Sequence, residues 1–214
     1  MNNHPGSLTY VTIAKDVTSE DVNDYYSKVL TKSSDLKTNC CTTSGAPPAY
    51  LQRAMSNIHQ DVNNKYYGCG FVAPDLLPGM RVLDLGCGAG RDVYLLAQLV
   101  GESGQVVGVD MSDTQLETAR STMEWHQERF GYARSNVSFV KGYLETLLDG
   151  ETETSKLLQE NSFDVIVSNC VLNLSPDKGT VLDNAYRLLK PGKIIVVVVS
   201  NSWLCLKQFL HSLY

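Results

Sequence analysis

No stretch of this 214-residue sequence is apolar for long enough to span a bilayer. The longest apolar run, Ile194–Val199, falls far short of the about 20 residues a helical span requires. The opening MNNHPGSLTY lacks both a basic flank and an apolar segment, so it does not read as a secretory signal. Positive charge is scarce as well. Eighteen Lys and Arg stand against 23 Asp and Glu, a net charge of −5, which argues against nucleic acid or an anionic membrane as the main partner. The six cysteines show no C-x-x-C spacing and the four histidines share no spacing, so a closed zinc site is not expected. No internal repeat or low-complexity tract occurs. Without an export signal, the expected compartment is the reducing cytosol, where cysteines more often do chemistry than staple a fold. What remains is a chain with 43% hydrophobic and 19% charged residues, rich enough in apolar side chains to fold around a core of its own.

Residues 1–18 read as a polar, poorly anchored arm, and residues 19–79 as helices and cysteine-bearing loops. Ser19 is expected to cap a helix through Leu30, and a second helix is expected from Pro48 to about Val62. From residue 80 the pattern changes to strands alternating with helices. Strands are expected at Arg81–Leu85, Gln105–Asp110, Val137–Lys141, Phe163–Asn169 and Ile194–Val199. Helices are expected at about Arg91–Val100, Thr114–Phe130 and from Pro176 onward with Ser175 as its cap, with LKPGK as a turn. Nearly continuous apolar strands alternating with helices indicate a parallel sheet covered on both faces. Residues 80–200 would form this core and 201–214 a divergent apolar tail. Ligands of such sheets sit at the carboxyl ends of the strands.

The strongest local signal is VLDLGCGAG, with Asp84, Gly86, Gly88 and Gly90. The glycines allow a sharp turn after the strand and close approach of backbone to a ligand, and the following helix start offers N–H groups. Asp110 ends the next strand, where a carboxylate can accept hydrogen bonds from both ribose hydroxyls. Together these point to an adenosine-containing ligand. The dinucleotide pattern would require glycine at 91, which is Arg91. The arrangement instead resembles the class I methyltransferases that use S-adenosylmethionine. That resemblance implies a Rossmann-like α/β core with sheet order 3-2-1-4-5. It places Asp84 and Gly86 by the methionine part, Asp110 on the ribose and Met111 beside the adenine, with Gly142, Tyr143 and Leu144 closing on the ring.

DVNDYYSKVL, the Cys40–Cys41 loop, KYYGCGF, LGCGAGRD and SNCVLNLSPDK follow one another in a single order over roughly residues 18–192. This set resembles the arsenite methyltransferases of the animal type. The resemblance implies methyl transfer from S-adenosylmethionine to trivalent arsenic held by Cys41, Cys69 and Cys170, with Tyr67 against the cofactor. Thiolates suit such a soft centre. It further implies thioredoxin or glutathione as reductant, arsenite and methylated arsenicals as substrates and products, and a monomer. Cys87 and Cys205 read as packing residues.

Members of that family continue beyond the fifth strand with two further strands, another arsenic ligand and an additional domain. Here KIIVVVVSNSWLCLKQFLHSLY carries no family motif. The expectation is a five-strand core lacking the last two strands, a helical or otherwise apolar tail beside the fifth strand, and weakened or absent turnover. The alternatives are a non-catalytic thiol protein that binds S-adenosylmethionine or arsenic, and a methyltransferase acting on carbon or oxygen.

Overall fold

In a computed structural model, residues 18–29, 47–68, 70, 74, 78–149, 156–199 and 202–207 are described. Cys40, Cys41 and Cys69, and the tail beyond 207, lie outside them. The leading elements are α1 (Ser19–Asp24), a π-helical turn (Tyr25–Val29), α2 (Ala49–Ser56) and α3 (Gln60–Asn64). The alternating part comprises β1 (Arg81–Leu85), α4 (Arg91–Val100), β2 (Gln105–Asp110), α5 (Asp113–Ser121), α6 (Met123–Phe130), β3 (Val137–Lys141), β4 (Phe163–Asn169), α7 (Lys178–Leu188), β5 (Leu189–Val199) and β6 (Ser202–Lys207). Strands β1–β5 are parallel in the order 3-2-1-4-5, as the alternation predicts.

Each strand sends successive side chains to opposite faces. Val82, Val106, Val137 and Val165 therefore pack on one face with Val93, Leu96 and Val100 of α4 and with Leu51 of α2. Leu83, Val107, Val109 and Ile166 pack on the other with Val181, Ala185 and Leu188 of α7. Burial on both faces explains why these strands read as continuous apolar runs. It also leaves the carboxyl ends of the strands as the edge where polar groups collect.

The structure corrects several sequence expectations. The apolar tail contributes a sixth strand: β6 runs antiparallel to β5, with Val196 opposite Cys205, so the described part of the tail is a strand and not a helix. Thr18, not Ser19, caps α1 in a capping box with Asp21. Asp177, not Ser175, caps α7 by accepting from the Thr180 N–H. The helix expected over 48–62 breaks at Asn57–His59, and the one over 114–130 breaks at Thr122. The LKPGK turn is absorbed as an irregularity inside β5, where pairing jumps from Phe163–Leu189 to Val165–Ile194. Among the described residues, no helix is long and apolar enough to cross a membrane.

Candidate active site at the carboxyl edge of the sheet

After β1 the chain reverses through Gly86–Gly90. The N–H groups of Gly86 and Cys87 both donate to the Val109 carbonyl, at 2.8 and 2.9 Å, which pins the turn to β2. Gly86 has φ +77°, and a Cβ there would lie 2.5 Å from the Val171 side chain. Gly90 has φ +88° and begins α4, but a Cβ there would meet the Phe139 ring at 2.8 Å. Gly90 thus serves packing of the helix against the sheet. Gly88 differs from both: a Cβ there would meet only Gln115 Oε1, at 3.9 Å, so this glycine faces open cleft.

Asp110 closes the cradle from β2. Its Oδ2 accepts from the Gly88 N–H at 2.8 Å and its Oδ1 from the Ser112 N–H at 2.9 Å. A carboxylate offers about four acceptor positions, more than these backbone N–H groups fill, so Asp110 can still accept from a ligand. Asp84 on β1 and Asp92 on α4 border the same cleft and are 2% and 4% exposed. Burial pushes Asp84 well above the usual carboxylate range, and the neighbouring charges of Asp92 and Asp110 add to it. Burial likewise raises Asp92 and Asp110, against the backbone N–H bonds that hold Asp110 charged. Three carboxylates gathered out of water are costly unless a positive charge joins them. Arg91, with Nη1 3.8 Å from Asp92 Oδ1, supplies one such charge, and a cationic ligand would add another.

Cys170 follows β4 and borders the cleft beside Val171. Its φ is +58°, in the left-handed region that non-glycine residues rarely occupy. Its N–H donates to the Val198 carbonyl at 2.7 Å, which holds this turn against β5. Strain of this kind concentrates at functional sites. The Cys170 sulfur is disulfide-bonded. Cys87 also borders the cleft, but it is buried and free, and burial pushes its thiol well up. Burial thus favours its protonated form, the form suited to packing.

The structure brings Tyr67, Asp84, Gly86, Gly88, Asp110, Met111, Leu144 and Cys170 to one cleft. Gly142 borders it as well, whereas Gly90 and Tyr143 do not line it. Among the described residues, no group of three or more His, Cys, Asp or Glu is placed to hold a metal ion.

One contributor, Gln115, was missed for an identifiable reason. Ser112 caps α5 and accepts from the Gln115 N–H at 3.3 Å, so Ser-x-x-Gln has the form of a capping box. In that motif the glutamine side chain bonds back to the cap N–H. Here Asp110 already occupies the Ser112 N–H. Gln115, 3% exposed, keeps an Oε1 with no hydrogen-bond partner, bordering the cleft next to Gly88. Glu145 is a second addition: its Oε1 accepts from Ser175 Oγ at 2.5 Å, and both residues line the cleft. An open glycine cradle, a ribose-competent acid, an orphaned acceptor and a cation-seeking acid cluster fit S-adenosylmethionine.

A family model described as a methyltransferase domain matches residues 76–212. The chain belongs to this methyltransferase family. It is 57% identical over 173 residues to an arsenite methyltransferase of Aquipseudomonas alcaligenes, covering 81% of this chain and 48% of that protein. Arsenite methyltransferases of Mus musculus and Homo sapiens are 46% and 48% identical, covering 83% and 81% of this chain and 46% and 45% of theirs. A solved arsenic(III) S-adenosylmethionine methyltransferase from Chlamydomonas reinhardtii aligns with a TM-score of 0.66 at 44% identity, over 71% of this chain and 49% of that one. The chain therefore has the class I methyltransferase fold that its sheet order indicates, and it spans about half the length of these relatives.

Proposed function

We propose that this methyltransferase moves a methyl group from S-adenosylmethionine to thiol-bound trivalent arsenic. The observation that supports it most is the position of Cys170. The Cys170 sulfur, on a strained turn after β4, borders the same cleft as the Asp84–Gly88–Asp110 cradle. The names of the similar proteins add the substrate: each is an arsenite or arsenic(III) methyltransferase.

The cofactor, when bound, supplies a methyl group made electrophilic by a sulfonium centre. Asp110 and Gln115 would take its ribose hydroxyls. The buried acids Asp84 and Asp92 favour its positive charge. Arsenite enters by exchange with cysteine thiols: each S–H and As–OH gives an As–S bond and a water. Cys170 and, by motif, Cys69 and Cys41 are the proposed ligands. Arsenic(III) carries its own lone pair, so no side chain has to remove a proton; that pair would form the As–C bond as the sulfonium–methyl bond breaks, S-adenosylhomocysteine would leave, and the arsenic, then formally pentavalent, would need two electrons from the thiol reductant to become trivalent again. The protein's work is placement and exclusion of water, which at ideal geometry lowers a barrier by ~7–11 kcal/mol.

The disulfide at Cys170 adds a requirement. A sulfur bonded to sulfur cannot bind arsenic, so two electrons and two protons from a thiol reductant of the thioredoxin or glutathione kind must first return it to a thiol. Calorimetric titration of the reduced protein with arsenite tests the substrate assignment. Binding that needs prior reduction and is lost in Cys170→Ser is expected. Binding of S-adenosylmethionine with no binding of arsenite would overturn the assignment and leave a methyltransferase for another acceptor.

A further inference from the structure

Three carboxylates reach the cleft from three elements, and each stands in a different setting. Asp110, at the end of β2, is held by the N–H groups of Gly88 and Ser112. Asp92, in the first turn of α4, accepts from Asn169 Nδ2 at 2.8 Å through Oδ2, and the helix N-terminus favours its charge. Its Oδ1 is buried with no hydrogen-bond partner, in a side chain 5% exposed. Asp84 lies on β1, beside Gly108 of β2 and Val167 of β4, and is 2% exposed. Burial and the charges of Asp92 and Asp110 all act against its ionisation. Carboxylates that share a dry site do not all ionise together without a counter-charge.

The cations bordering the cleft are already engaged. Arg91 donates through Nη1 to the Gly70 carbonyl at 3.0 Å and lies over the Tyr66 ring, 3.8 Å from its centroid. Lys65, which ends α3, donates to Thr118 Oγ1 at 2.7 Å. Glu145 borders the cleft as a fourth acid, bonded by Ser175. Burial raises the Tyr66 phenol and the Cys87 thiol, so neither adds a charge. Tyr67 and Cys170 complete the titratable residues of the lining, and the Cys170 sulfur is disulfide-bonded. Four acids thus face two cations. Two buried acceptors in this lining, Asp92 Oδ1 and Gln115 Oε1, have no hydrogen-bond partner. Both features point to a ligand that brings donors and positive charge. S-adenosylmethionine brings an ammonium and a sulfonium against one carboxylate. S-adenosylhomocysteine differs by having a neutral thioether in place of the sulfonium.

We propose that Asp84, within the Asp84–Asp92–Asp110 cluster, is the residue that separates cofactor from spent product by charge. In the empty cleft Asp84 holds a proton. The sulfonium supplies the missing counter-charge, Asp84 ionises, and its proton passes to solvent as the cofactor binds. Transfer carries the methyl group to the acceptor, and the sulfur keeps one more lone pair and becomes neutral. Asp84 then takes a proton back from solvent, and the product has lost the charge that held the cofactor. This deepens the cofactor reading given above and rests on it; it does not depend on arsenic being the acceptor.

The test is calorimetric titration of the full chain with S-adenosylmethionine and with S-adenosylhomocysteine. No reductant is added, so the disulfide-bonded Cys170 sulfur does not titrate. The pH runs from about 5.5 to 7, below the range where an α-amino group loses its proton. In the wild type, preference for S-adenosylmethionine over S-adenosylhomocysteine is expected to rise with pH, by up to about tenfold per pH unit where one proton is displaced. Asp84→Asn keeps the shape and removes the charge. In that variant S-adenosylmethionine affinity at about pH 7 is expected to fall about tenfold or more, the effect of one opposite charge nearby, with S-adenosylhomocysteine within about threefold of wild type and the pH slope gone. The wild-type slopes decide the matter whether or not the variant folds. S-adenosylmethionine binding with the same pH dependence as S-adenosylhomocysteine would overturn the proposal and leave the cofactor reading standing. An equal loss of both ligands in Asp84→Asn would make Asp84 a shape-holding residue and overturn it too. Failure of the wild type to bind either ligand would reject the cofactor reading and the proposal with it.

Discussion

The Gly88 N–H donates to Asp110 Oδ2 at 2.8 Å, joining the glycine turn after β1 to the acid that ends β2. One bond thus sets the relation between the glycine turn and the carboxylate proposed to take the ribose. Replacing Asp110 by Asn puts an NH₂ where one of two backbone N–H donors needs an acceptor. Asp110→Asn is expected to weaken S-adenosylmethionine binding by about tenfold to a hundredfold, since hydrogen bonds to a charged acceptor contribute about 1.5–3 kcal/mol each. Calorimetry checks this, and affinity within a factor of two of wild type would remove Asp110 from the site.

Gln115 allows a sharper separation of binding from folding. Its buried Oε1 has no hydrogen-bond partner, so the unliganded protein gains nothing from it. Gln115→Leu is expected to leave the unliganded melting temperature equal or higher, because an orphaned buried acceptor is removed. Affinity for S-adenosylmethionine should fall several-fold, with a smaller loss for the analogue lacking ribose hydroxyls. A lowered melting temperature with unchanged affinity would assign Gln115 to packing.

The contrast between Asp110 and Gln115 shows where sequence reading succeeds. Asp84, Gly86 and Asp110 were legible because each sits in a local pattern whose geometry follows from strand, turn and strand again. Gln115 was hidden, because its pattern has a complete local explanation that Asp110 then displaces. The same holds for the fold. The parallel core was legible from two-sided apolar strands, but β6 was not, because its partner across the ladder, not its own spacing, makes SWLCLK a strand. The break between α5 and α6 is equally nonlocal. The Thr122 hydroxyl bonds back to the Thr118 and Ala119 carbonyls and reaches Tyr94 Oη on another helix, which bends a helix whose apolar period runs on. Asn169 bonds Tyr66 and Asp92 across the fold, and nothing near it in sequence indicates either partner.

Glycine positions give a graded series. Gly86→Ala meets both a positive φ and the Val171 side chain, and should destabilise by about 2–4 kcal/mol. Gly131 ends α6 with φ +74° and open space around it. Gly131→Ala should therefore cost only the left-handed backbone, about 1 kcal/mol. Urea unfolding of the two variants measures the difference, and equal costs would contradict the close approach of Gly86 to Val171.

His126 supplies a pH signature away from the cleft. It is 1% exposed and stacks on Tyr94 with centroids 3.4 Å apart. Its Nε2 accepts from the His59 N–H at 3.1 Å, which leaves Nδ1–H to donate to the Thr122 carbonyl at 2.7 Å. Burial lowers its pKa from 6.5 to about 4. Below pH 6.5 the unfolded chain takes a proton that the folded chain refuses, so this residue's contribution is full above 6.5 and is lost as pH falls through about 4. The buried Asp84 acts in the opposite sense, because its raised pKa lets the folded state take up protons as pH falls. The difference between wild type and His126→Phe isolates the histidine. Stability of the wild type relative to that variant should fall as pH drops from 6.5 toward 4, and a histidine titrating near 6.5 by NMR would contradict the assignment.

The central claim is methyl transfer to arsenic at a thiol beside the cofactor cleft. The most direct measurement is single-turnover transfer from methyl-labelled S-adenosylmethionine to arsenite by the reduced protein, with the products separated chromatographically. Label is expected on methylated arsenic, in an amount that requires the thiol reductant and vanishes in Cys170→Ser. Label that stays on the cofactor in a protein that binds both ligands, or that reaches arsenic equally well in Cys170→Ser, would contradict it.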